Sequence, residues 1–342
     1  MKDEILPLSN ISPDCWDTYV FEHRNGSLFH SMRWLDILQR NQPADVQHLG
    51  FIQKNKIIGL FPVCIKRVLF FKFAGSPLIA EDTPYLGPLI HKYAFQNFLL
   101  SLEKYLKCKK IHFVRLLASQ VFHPNENYQQ FTFKKKSTHI VNLKNAERFL
   151  WDNLEGRCRT AIRKAIKNHV RIQDETNPEF IETYYTILKS VYNNQGMPCP
   201  NRKQFYYDLW DFFHGKNAFF LSATYNNIII AGAIILIDRD KAYYLNGASR
   251  HEYRSLYPMN LILWYSLLLA KSHGASQFDF VGSDIPRLAH FKKSFGGESV
   301  NYTCIEWSSS AYIEILRKRY PLYKTFFGNI RETISSCLQP RV

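Results

Sequence analysis

The chain has 342 residues and is rich in apolar and aromatic side chains, at 46% and 15% of the sequence. A chain of this length and composition buries large cores, which excludes an intrinsically disordered protein. Its apolar stretches are shorter than the roughly 20 residues of a membrane-spanning helix. Its first ten residues, MKDEILPLSN, lack the pattern of a secretory signal. We therefore expect a globular cytoplasmic protein, with the inner face of the cytoplasmic membrane as a further possible location.

The formal net charge of +15 predicts an anionic partner. Much of this charge lies in RCRTAIRKAIKNHVR, residues 157–171, which contains no acidic residue. On a helix, Arg159, Arg163 and Lys167 share one face because they are spaced four apart. This face is either a solvated surface between two domains or a clamp for the phosphates of a nucleotide, a lipid diphosphate or a tRNA. No helix-turn-helix or RNA-recognition signature accompanies it, so we expect no DNA partner.

The spacing of cysteine and histidine residues does not indicate a metal site. Seven cysteines are scattered without a C-x-x-C motif, and no histidine pair has ligand spacing. An odd number of cysteines in a chain of this size is typical of reduced thiols. We expect no structural metal and no disulfide.

The first half of the chain predicts a hairpin followed by a helix and a strand. Two β-rich runs, at 46–52 and 56–66, are separated by the polar turn Gln53-Lys54-Asn55. A helix is predicted over 91–107 and a strand over 109–117.

The second half predicts a strand, two helices, three strands, a helix, a strand, a short helix and a final strand. Polar two-residue turns, Asn226-Asn227 and Arg239-Asp240, separate the three central strands. Pro258 opens the helix that follows and Gly274 ends it. The predicted ranges are, in chain order, 170–175, 179–194, 201–213, 219–225, 228–238, 241–249, 259–273, 276–282, 285–295 and 302–307.

The two halves repeat one pattern. Gly59 follows the first hairpin turn as Gly232 follows the corresponding turn of the second half, and each half continues with a helix and a strand. A repeat of about half the chain indicates a duplicated domain, and the alternative is two unrelated α/β domains of similar order. The predicted fold class is α/β with a mixed sheet. The predicted domains are residues 1–145 and residues 146–342, and the second contains the basic linking helix.

Five segments of the second half carry a family resemblance. In their order and spacing they resemble the FemAB group and its BioF2-like relatives, which have two domains of the GNAT acyltransferase superfamily. Two segments of the first half, FHSMRWLDIL and PYLGPLI, are similar to family segments more weakly. Family members transfer amino acids from aminoacyl-tRNA to peptidoglycan precursors, or acyl groups from thioesters to amines. The five segments are LWDNLEGRCRTAIRKAIKNHV, QGMPCP, YYLNGAS, FDFVGSD and FKKSFGG.

The resemblance implies a reaction centre at FKKSFGG, where Phe291 and Lys292 match the family's catalytic pair. Lys292 is expected to stabilise the oxyanion of the tetrahedral intermediate. Asp279 is expected to orient the amine or the lysine, and Tyr244 and Asn246 to line the acyl channel. The other implied site residues are Arg254, Tyr257, Met259 and Asn260 for the donor cofactor, and Trp34, Tyr85, Arg159, Arg163 and Ser283 for the substrate.

Two features depart from the family pattern. Tyr257 and Met259 stand where GNAT enzymes carry glycine, and Pro258 removes one backbone donor from the expected diphosphate site. This departure weakens the case for coenzyme A. Trp34 is not followed by the lysine with which peptidoglycan-directed members bind a substrate diphosphate, and Arg40 is the basic residue that lies near that position.

We therefore expect an N-acyltransferase that moves an acyl group from a thioester, with acyl-CoA as co-substrate, to an amino group of a cell-envelope, glycan or amino-acid acceptor. Two alternatives stay open. One is aminoacyl-tRNA-dependent transfer to a peptidoglycan precursor, and the other is a non-catalytic module that binds a nucleotide-linked glycan or an anionic membrane. The expected partner is an anionic or lipid-linked substrate. Contact with tRNA stays open, as does peripheral membrane contact through the C-terminal segment 311–338 or the loop 66–75.

Overall fold

The computed structural model describes residues 3–78, 82–122, 130–282 and 285–316. The first half contains, in chain order, β1 (Glu4–Pro7), α1 (Pro13–Glu22), α2 (Met32–Asn41), β2 (Asp45–Gln53), β3 (Lys56–Val68), β4 (Phe71–Ser76), β5 (Leu89–Ile90), α3 (Phe95–Cys108), β6 (Phe113–Ala118) and β7 (Phe131–Asn142). The second half contains α4 (Glu147–Asn153), α5 (Gly156–Lys167), β8 (Arg171–Asp174), α6 (Phe180–Asn193), α7 (Lys203–Phe213), β9 (Ala218–Tyr225), β10 (Ile228–Asp238), β11 (Lys241–Ser249), α8 (Pro258–Ser272), β12 (Gln277–Asp279), α9 (Pro286–Lys293) and β13 (Glu298–Ser308). Short 3-10 helices lie at Leu28–His30, Lys92–Ala94 and His251–Leu256.

The predicted order of the second half is confirmed. From β8 to β13 the chain forms a strand, two helices, three strands, a helix, a strand, a short helix and a strand. Pro258 is the first residue of α8, where the fixed φ of proline fits the helix and its missing N–H leaves no bond unmade. The predicted α/β class with a mixed sheet is confirmed as well.

The two halves contain matching hairpins. Lys54 and Asn55 turn β2 into β3 with φ values of 49° and 61°, and Asn226 and Asn227 turn β9 into β10 with the same two values. Each hairpin also has a register shift close to its turn. Asparagine tolerates this left-handed conformation because its short polar side chain bonds to local backbone. The repeat in the sequence therefore extends to the backbone conformation.

The described strands form one sheet, in the order β1-β2-β3-β4-β6-β13-β7-β12-β11-β10-β9-β8, with β5 paired to β3 beside this path. β13 lies between β6 and β7 and is antiparallel to both, although it comes from the second half of the chain. β7, from the first half, also pairs with β12. Each half therefore places its last strand within the other half's part of the sheet. The predicted boundary at residue 145 divides the chain, but the sheet continues across it.

Helices cover both faces of the sheet. In β9, Phe220 belongs to an apolar cluster that includes residues of α1, α2, α6 and α7. Its neighbours Phe219 and Leu221 point the other way, into a cluster that includes residues of α5 and α8. The alternation is that of a strand buried on both faces. Within the described ranges, none of the helices has the length and apolar character that crossing a bilayer would require.

Helix α2 of the first half packs against α7 of the second. Trp34 is fully buried, and its ring lies edge-on to Phe29 at a centroid distance of 4.9 Å and to Phe205 at 6.1 Å. The Asn41 amide donates to the Asp208 carboxylate at 2.6 Å. The two halves thus share an apolar core as well as strands.

His30 is a buried polar contact between the first 3-10 helix and the segment before β5. Its Nδ1 lies 2.9 Å from the Ser27 hydroxyl oxygen, and its Nε2 lies 3.1 Å from the carbonyl oxygen of Gly87. A neutral ring satisfies both contacts by donating from Nε2 and accepting at Nδ1. Burial lowers the pKa of His30 to about 4.

The pH dependence of stability tests this contact. The unfolded chain binds a proton on this histidine near pH 6.5, while the folded protein does so only near pH 4. The free energy of unfolding should therefore fall as the pH falls through this window, by up to about 3 kcal/mol for His30. Glutamine does not titrate, so in His30→Gln the free energy of unfolding, measured with urea over a pH series, should fall less steeply with decreasing pH than in the wild type. A His30→Gln profile as steep as that of the wild type would contradict the assignment.

Candidate functional site

The strands β11 and β12 diverge in the middle of the sheet. They pair in parallel only from Lys241 to Tyr243, while β11 continues to Ser249. At the point of divergence β11 contains a bulge. Asn246 lies opposite Ile234 of β10, and Tyr244 lies opposite the next residue, Ile235. Leu245 is therefore an extra residue in β11 without a partner in β10. Residues 244–249 therefore have no partner strand on the β12 side among the described residues. Such an edge binds an extended ligand through its backbone groups.

Tyr244 and Met259 meet over Gly247, in the region where the resemblance placed the acyl channel. A Cβ atom built on Gly247 would lie 2.4 Å from the Tyr244 hydroxyl and 2.9 Å from the Met259 methyl group. A larger residue would therefore displace both side chains. Burial raises the pKa of Tyr244, so this hydroxyl is a neutral donor and acceptor at physiological pH.

The start of α8 offers few backbone donors to a diphosphate. Tyr257 has a left-handed φ of 54°, and Pro258 has no N–H. The amides of Asn260 and Leu261 donate to the Tyr257 carbonyl, at 3.1 and 3.4 Å. The backbone amide of Met259, in the same turn, donates to no backbone carbonyl of the described residues. Of the other residues implied for the cofactor, Arg254 is exposed, and the Asn260 side chain donates to Cys158 Sγ at 3.7 Å.

The basic helix α5 lies beside this turn. The Lys164 ammonium lies 5.8 Å from the centroid of the Tyr257 ring, and the exposed Arg163 guanidinium lies 5.4 Å from that of Trp151. Arg159 takes a different role, because it donates to the carbonyls of Asp152, at 2.7 Å, and of Leu154, at the end of α4. The prediction that Arg159 and Arg163 form one phosphate clamp therefore needs correction. Arg159 caps a helix, Arg163 lies over Trp151 of α4, and Lys164 lies beside the turn at Tyr257.

Lys292 binds the loop that follows β12. Its ammonium donates to the carbonyls of Val281 and, at 2.7 Å, of Gly282. Val281 has a φ of 51°, a conformation that a β-branched residue adopts only under strain. Phe291, its neighbour in α9, is half-buried and packs edge-on against Phe295. The lysine therefore holds a strained loop in place at the mouth of the β11–β12 divergence.

Asp279 is a buried structural carboxylate. Its exposed fraction is 1%, and it accepts from the Tyr85 hydroxyl at 3.1 Å, the Thr138 hydroxyl at 2.6 Å and the Val281 amide at 2.8 Å. Lys241 lies 4.0 Å away. The sequence suggested that Asp279 orients the amine or the lysine and that Tyr85 binds substrate; in the structure these two buried groups are hydrogen-bonded to each other. Asp279 shapes the loop to which Lys292 is bound.

His139 of β7 lies next to this loop, and the sequence alone did not indicate it. Its backbone carbonyl accepts from the Phe280 amide at 2.9 Å. Burial lowers the pKa of its ring, and the positive charges of Lys292 and Lys293 lower it further. The structure thus places a neutral imidazole close to the Lys292 ammonium.

A second group that sequence reasoning missed surrounds Asp82. One oxygen of this carboxylate accepts from the Asn246 amide at 2.7 Å, the Asn201 amide at 2.9 Å and the Tyr206 hydroxyl at 3.0 Å. No described residue donates to the other oxygen, and no described cation pairs with it. Burial raises the pKa of Asp82. Tyr184, whose ring lies edge-on to Tyr206 at 5.6 Å, has a buried hydroxyl without a hydrogen-bond partner in the described part of the chain.

Two further site residues of the sequence prediction have separate outcomes. Trp34 does not line a site, because it is fully buried and its indole donates to the Thr83 hydroxyl at 3.2 Å. Ser283 lies outside the described residues. In the ranges that the structure describes, no group of three or more histidine, cysteine or acidic side chains could hold a metal ion.

The element order, the bulged central strand and the divergence beside it agree with a GNAT fold. Residues 153–293 match the family model described as an acetyltransferase (GNAT) domain, in agreement with the predicted enzyme class. The crystal structure of FemX superposes on the chain with a TM-score of 0.64 at 16% identity, covering 88% of this chain and 96% of that one. A tandem GNAT protein from the clavulanic acid biosynthesis pathway gives a TM-score of 0.52 at 9% identity, covering 90% and 99%.

A curated relative connects the chain to the FemAB-like proteins. The lipid II:glycine glycyltransferase of Staphylococcus haemolyticus is 37% identical over 59 residues, which are 17% of this chain and 14% of that protein. The chain thus spans about a seventh of the length of this relative in the match. The resemblance to FemAB-like proteins and the tandem GNAT fold, both predicted from the sequence, are confirmed by these comparisons.

The electrostatic effect of Lys292 on His139 predicts a change in titration. Removing the lysine charge should raise the pKa of His139 in Lys292→Ala, whereas Lys292→Arg, which keeps the charge, should leave it lowered. The chemical shift of the His139 Cε1 proton, followed by NMR over a pH series, measures the change. An equal His139 pKa in Lys292→Ala and the wild type would show that the two groups do not interact.

Proposed function

We propose that the chain is an N-acyltransferase whose acyl donor lies along the open edge of β11. The observation that carries this proposal is the divergence of β11 from β12 after Tyr243, beside the bulge at Leu245. An open strand edge hydrogen-bonds an extended ligand, and a bulge re-aims the backbone groups next to it. Lys292 binds the loop that follows β12, His139 of β7 bonds to that segment at Phe280, and Asn246 of β11 bonds to Asp82.

The proposed donor is an aminoacyl ester carried by tRNA. Coenzyme A is held by its diphosphate, which needs several N–H groups at a helix N-terminus. In the first turn of α8, the amide of Met259 is the backbone donor that can bind a diphosphate. Pro258 has no N–H, and the amides of Asn260 and Leu261 donate to the Tyr257 carbonyl. The exposed charge of Lys164 beside Tyr257 and that of Arg163 over Trp151, on the same helix, suit a phosphodiester backbone instead.

Asp82 is proposed to hold the ammonium group of an amino-acid substrate. A partly buried carboxylate with three donors on one oxygen keeps its second oxygen for a cation. Asn246 links Asp82 directly to the bulged part of β11. The Tyr206 hydroxyl donates to this carboxylate, and the ring of Tyr184 packs edge-on against that of Tyr206.

The proposed reaction is a direct transfer without a covalent enzyme intermediate. The acceptor nitrogen attacks the ester carbonyl carbon, a C–N bond forms, and the C–O bond to the ribose breaks. The nitrogen loses a proton, which we assign to the neutral ring of His139, and the leaving ribose oxygen takes up a proton. The positive charge of Lys292 stabilises the oxyanion that forms between these steps.

The proposed acceptor is an amine of a cell-envelope precursor. The support is the similarity to a lipid II:glycine glycyltransferase. Acyl-CoA is a second candidate donor, because the Met259 amide is still available in the GNAT position. A purified protein that turns over neither donor but binds a glycan precursor would favour the non-catalytic alternative.

The ammonium site is tested with Asp82→Asn. Asparagine keeps an oxygen for the three donors but replaces the cation-binding oxygen with an NH₂ group, so the fold is retained and the cation is repelled. Incubation with aminoacyl-tRNA and a muramyl-peptide precursor, with products identified by mass spectrometry, should show kcat/KM reduced roughly 10- to 100-fold. Asp208→Asn is the matched control, because Asp208 is also buried and accepts from two amides, of Asn41 and Gln204. Equal losses in the two variants would reduce Asp82 to a structural role.

The donor is tested by the salt dependence of binding. The double variant Arg163→Glu with Lys164→Glu should bind tRNA at least about tenfold more weakly, with a smaller slope against salt concentration. Lys56→Glu with Lys104→Glu, which changes the charge equally on the first half, should bind nearly as the wild type does. If tRNA does not bind and acyl-CoA raises the melting temperature with concentration, the thioester is the donor.

A further inference from the structure

The tip of the β3–β4 hairpin exposes two large apolar side chains. Leu69 and Phe70 form the turn, and their exposed fractions are 81% and 90%. Leu69 has a φ of 53°, which costs leucine more than it costs asparagine or glycine. The corresponding turn of the second half has the same geometry with polar residues, since Arg239 also has a φ of 53° and is followed by Asp240. Stability of the fold therefore does not account for an apolar pair at this tip.

A cluster of four basic residues lies just below the tip. We call it the basic cluster, and none of its members pairs with an acidic side chain in the described residues. Arg67 and Lys72 face each other directly across the hairpin, a like-charge pairing that is unfavourable without an anion between them. The Lys72 ammonium donates to the Lys109 carbonyl at 3.1 Å, which brings the loop after α3 into the cluster. The members are Arg67, Lys72, Lys109 and Lys110.

Part of the basic cluster lines an open groove of about 230 Å³. Arg67, Lys72 and Lys109 contribute the positive charge, and Asp45 is the acidic residue among the groove's lining side chains. The Asp45 carboxylate accepts from the Gln47 amide at 2.8 Å. The groove therefore keeps an excess of positive charge next to an exposed apolar tip.

The chain after β13 starts at the same end of the sheet. The amide of Ser309 donates to the His112 carbonyl, and the amide of His112 donates to the Lys72 carbonyl. Residues 311–316 are helical and expose Tyr312 and Ile315, by 64% and 53%. Of the segment 311–338 that the sequence suggested for membrane contact, residues 317–338 lie outside the described residues.

We propose that this end of the molecule docks on an anionic phospholipid membrane, with Leu69 and Phe70 inserted below the headgroups and the basic cluster on the lipid phosphates. An apolar tip over a ring of lysine and arginine is complementary to the interface of an anionic bilayer. A nucleic acid would satisfy the charges but would leave the leucine and the phenylalanine in water. This inference concerns binding alone and does not rest on the proposed reaction.

Vesicle co-sedimentation tests the proposal with the full chain. The wild type should bind vesicles of equal parts phosphatidylglycerol and phosphatidylcholine and should not bind vesicles of phosphatidylcholine alone. Leu69→Ser with Phe70→Ser should lower binding at least about tenfold, and Phe70→Trp should retain it because tryptophan favours the interface. Phe149→Ser with Ile228→Ser, which removes two exposed apolar residues elsewhere, is the matched control and should bind as the wild type does.

A second pair of substitutions separates lipid from other anions. Arg67→Gln with Lys72→Gln should lower vesicle binding about tenfold and flatten its salt dependence. The melting temperature should stay equal or rise, because a like-charge pair is removed. Inorganic phosphate should not displace the wild type from vesicles. The proposal is overturned if the wild type does not bind anionic vesicles, or if loss of the charges abolishes binding while loss of the apolar tip has no effect, which would indicate a polyanion such as RNA.

Discussion

The exchange of the strands β7 and β13 is the constraint on which the rest of the structure depends. β13 forms a ladder with β6 on one side and with β7 on the other, and β7 continues the sheet to β12. A strand in the middle of a sheet needs hydrogen-bond partners on both edges, so neither half completes its own sheet without a strand of the other. The loop after β12, where Lys292 binds, is therefore supported by a strand that ends the first half of the chain.

Asp279 connects this exchange to the site. A carboxylate that is 1% exposed has to be hydrogen-bonded, and its donors come from the first half, at Tyr85, from the exchanged strand, at Thr138, and from its own loop, at Val281. The same loop is held from the other side by Lys292. A strained φ at Val281 persists because both of its backbone polar groups are fixed in this way.

The net charge of +15 is distributed over surfaces of different chemistry. On α5, Lys164 lies over the ring of Tyr257 at the start of α8 and Arg163 lies over the ring of Trp151, an arrangement suited to phosphodiesters. On the β3–β4 hairpin the positive charge surrounds Leu69 and Phe70, an arrangement suited to a bilayer surface. The proposed tRNA-borne donor and the proposed membrane contact would use different ones of these surfaces.

Local patterns in the sequence were enough for the elements and the class of fold. The polar turns, Pro258 at the start of α8 and the β-rich runs of β9 to β11 each depend on neighbours a few residues away, and each is found as predicted. The family resemblance located the strand β11 and Lys292 of α9 because each lies in a short contiguous segment, YYLNGAS and FKKSFGG, respectively. The contacts of the site are not local. Asp82 and Asn246 are 164 positions apart, and Tyr85 and Asp279 are 194 apart. Only the packing of one half on the other brings such residues together, buries Trp34 and places His139 beside Lys292.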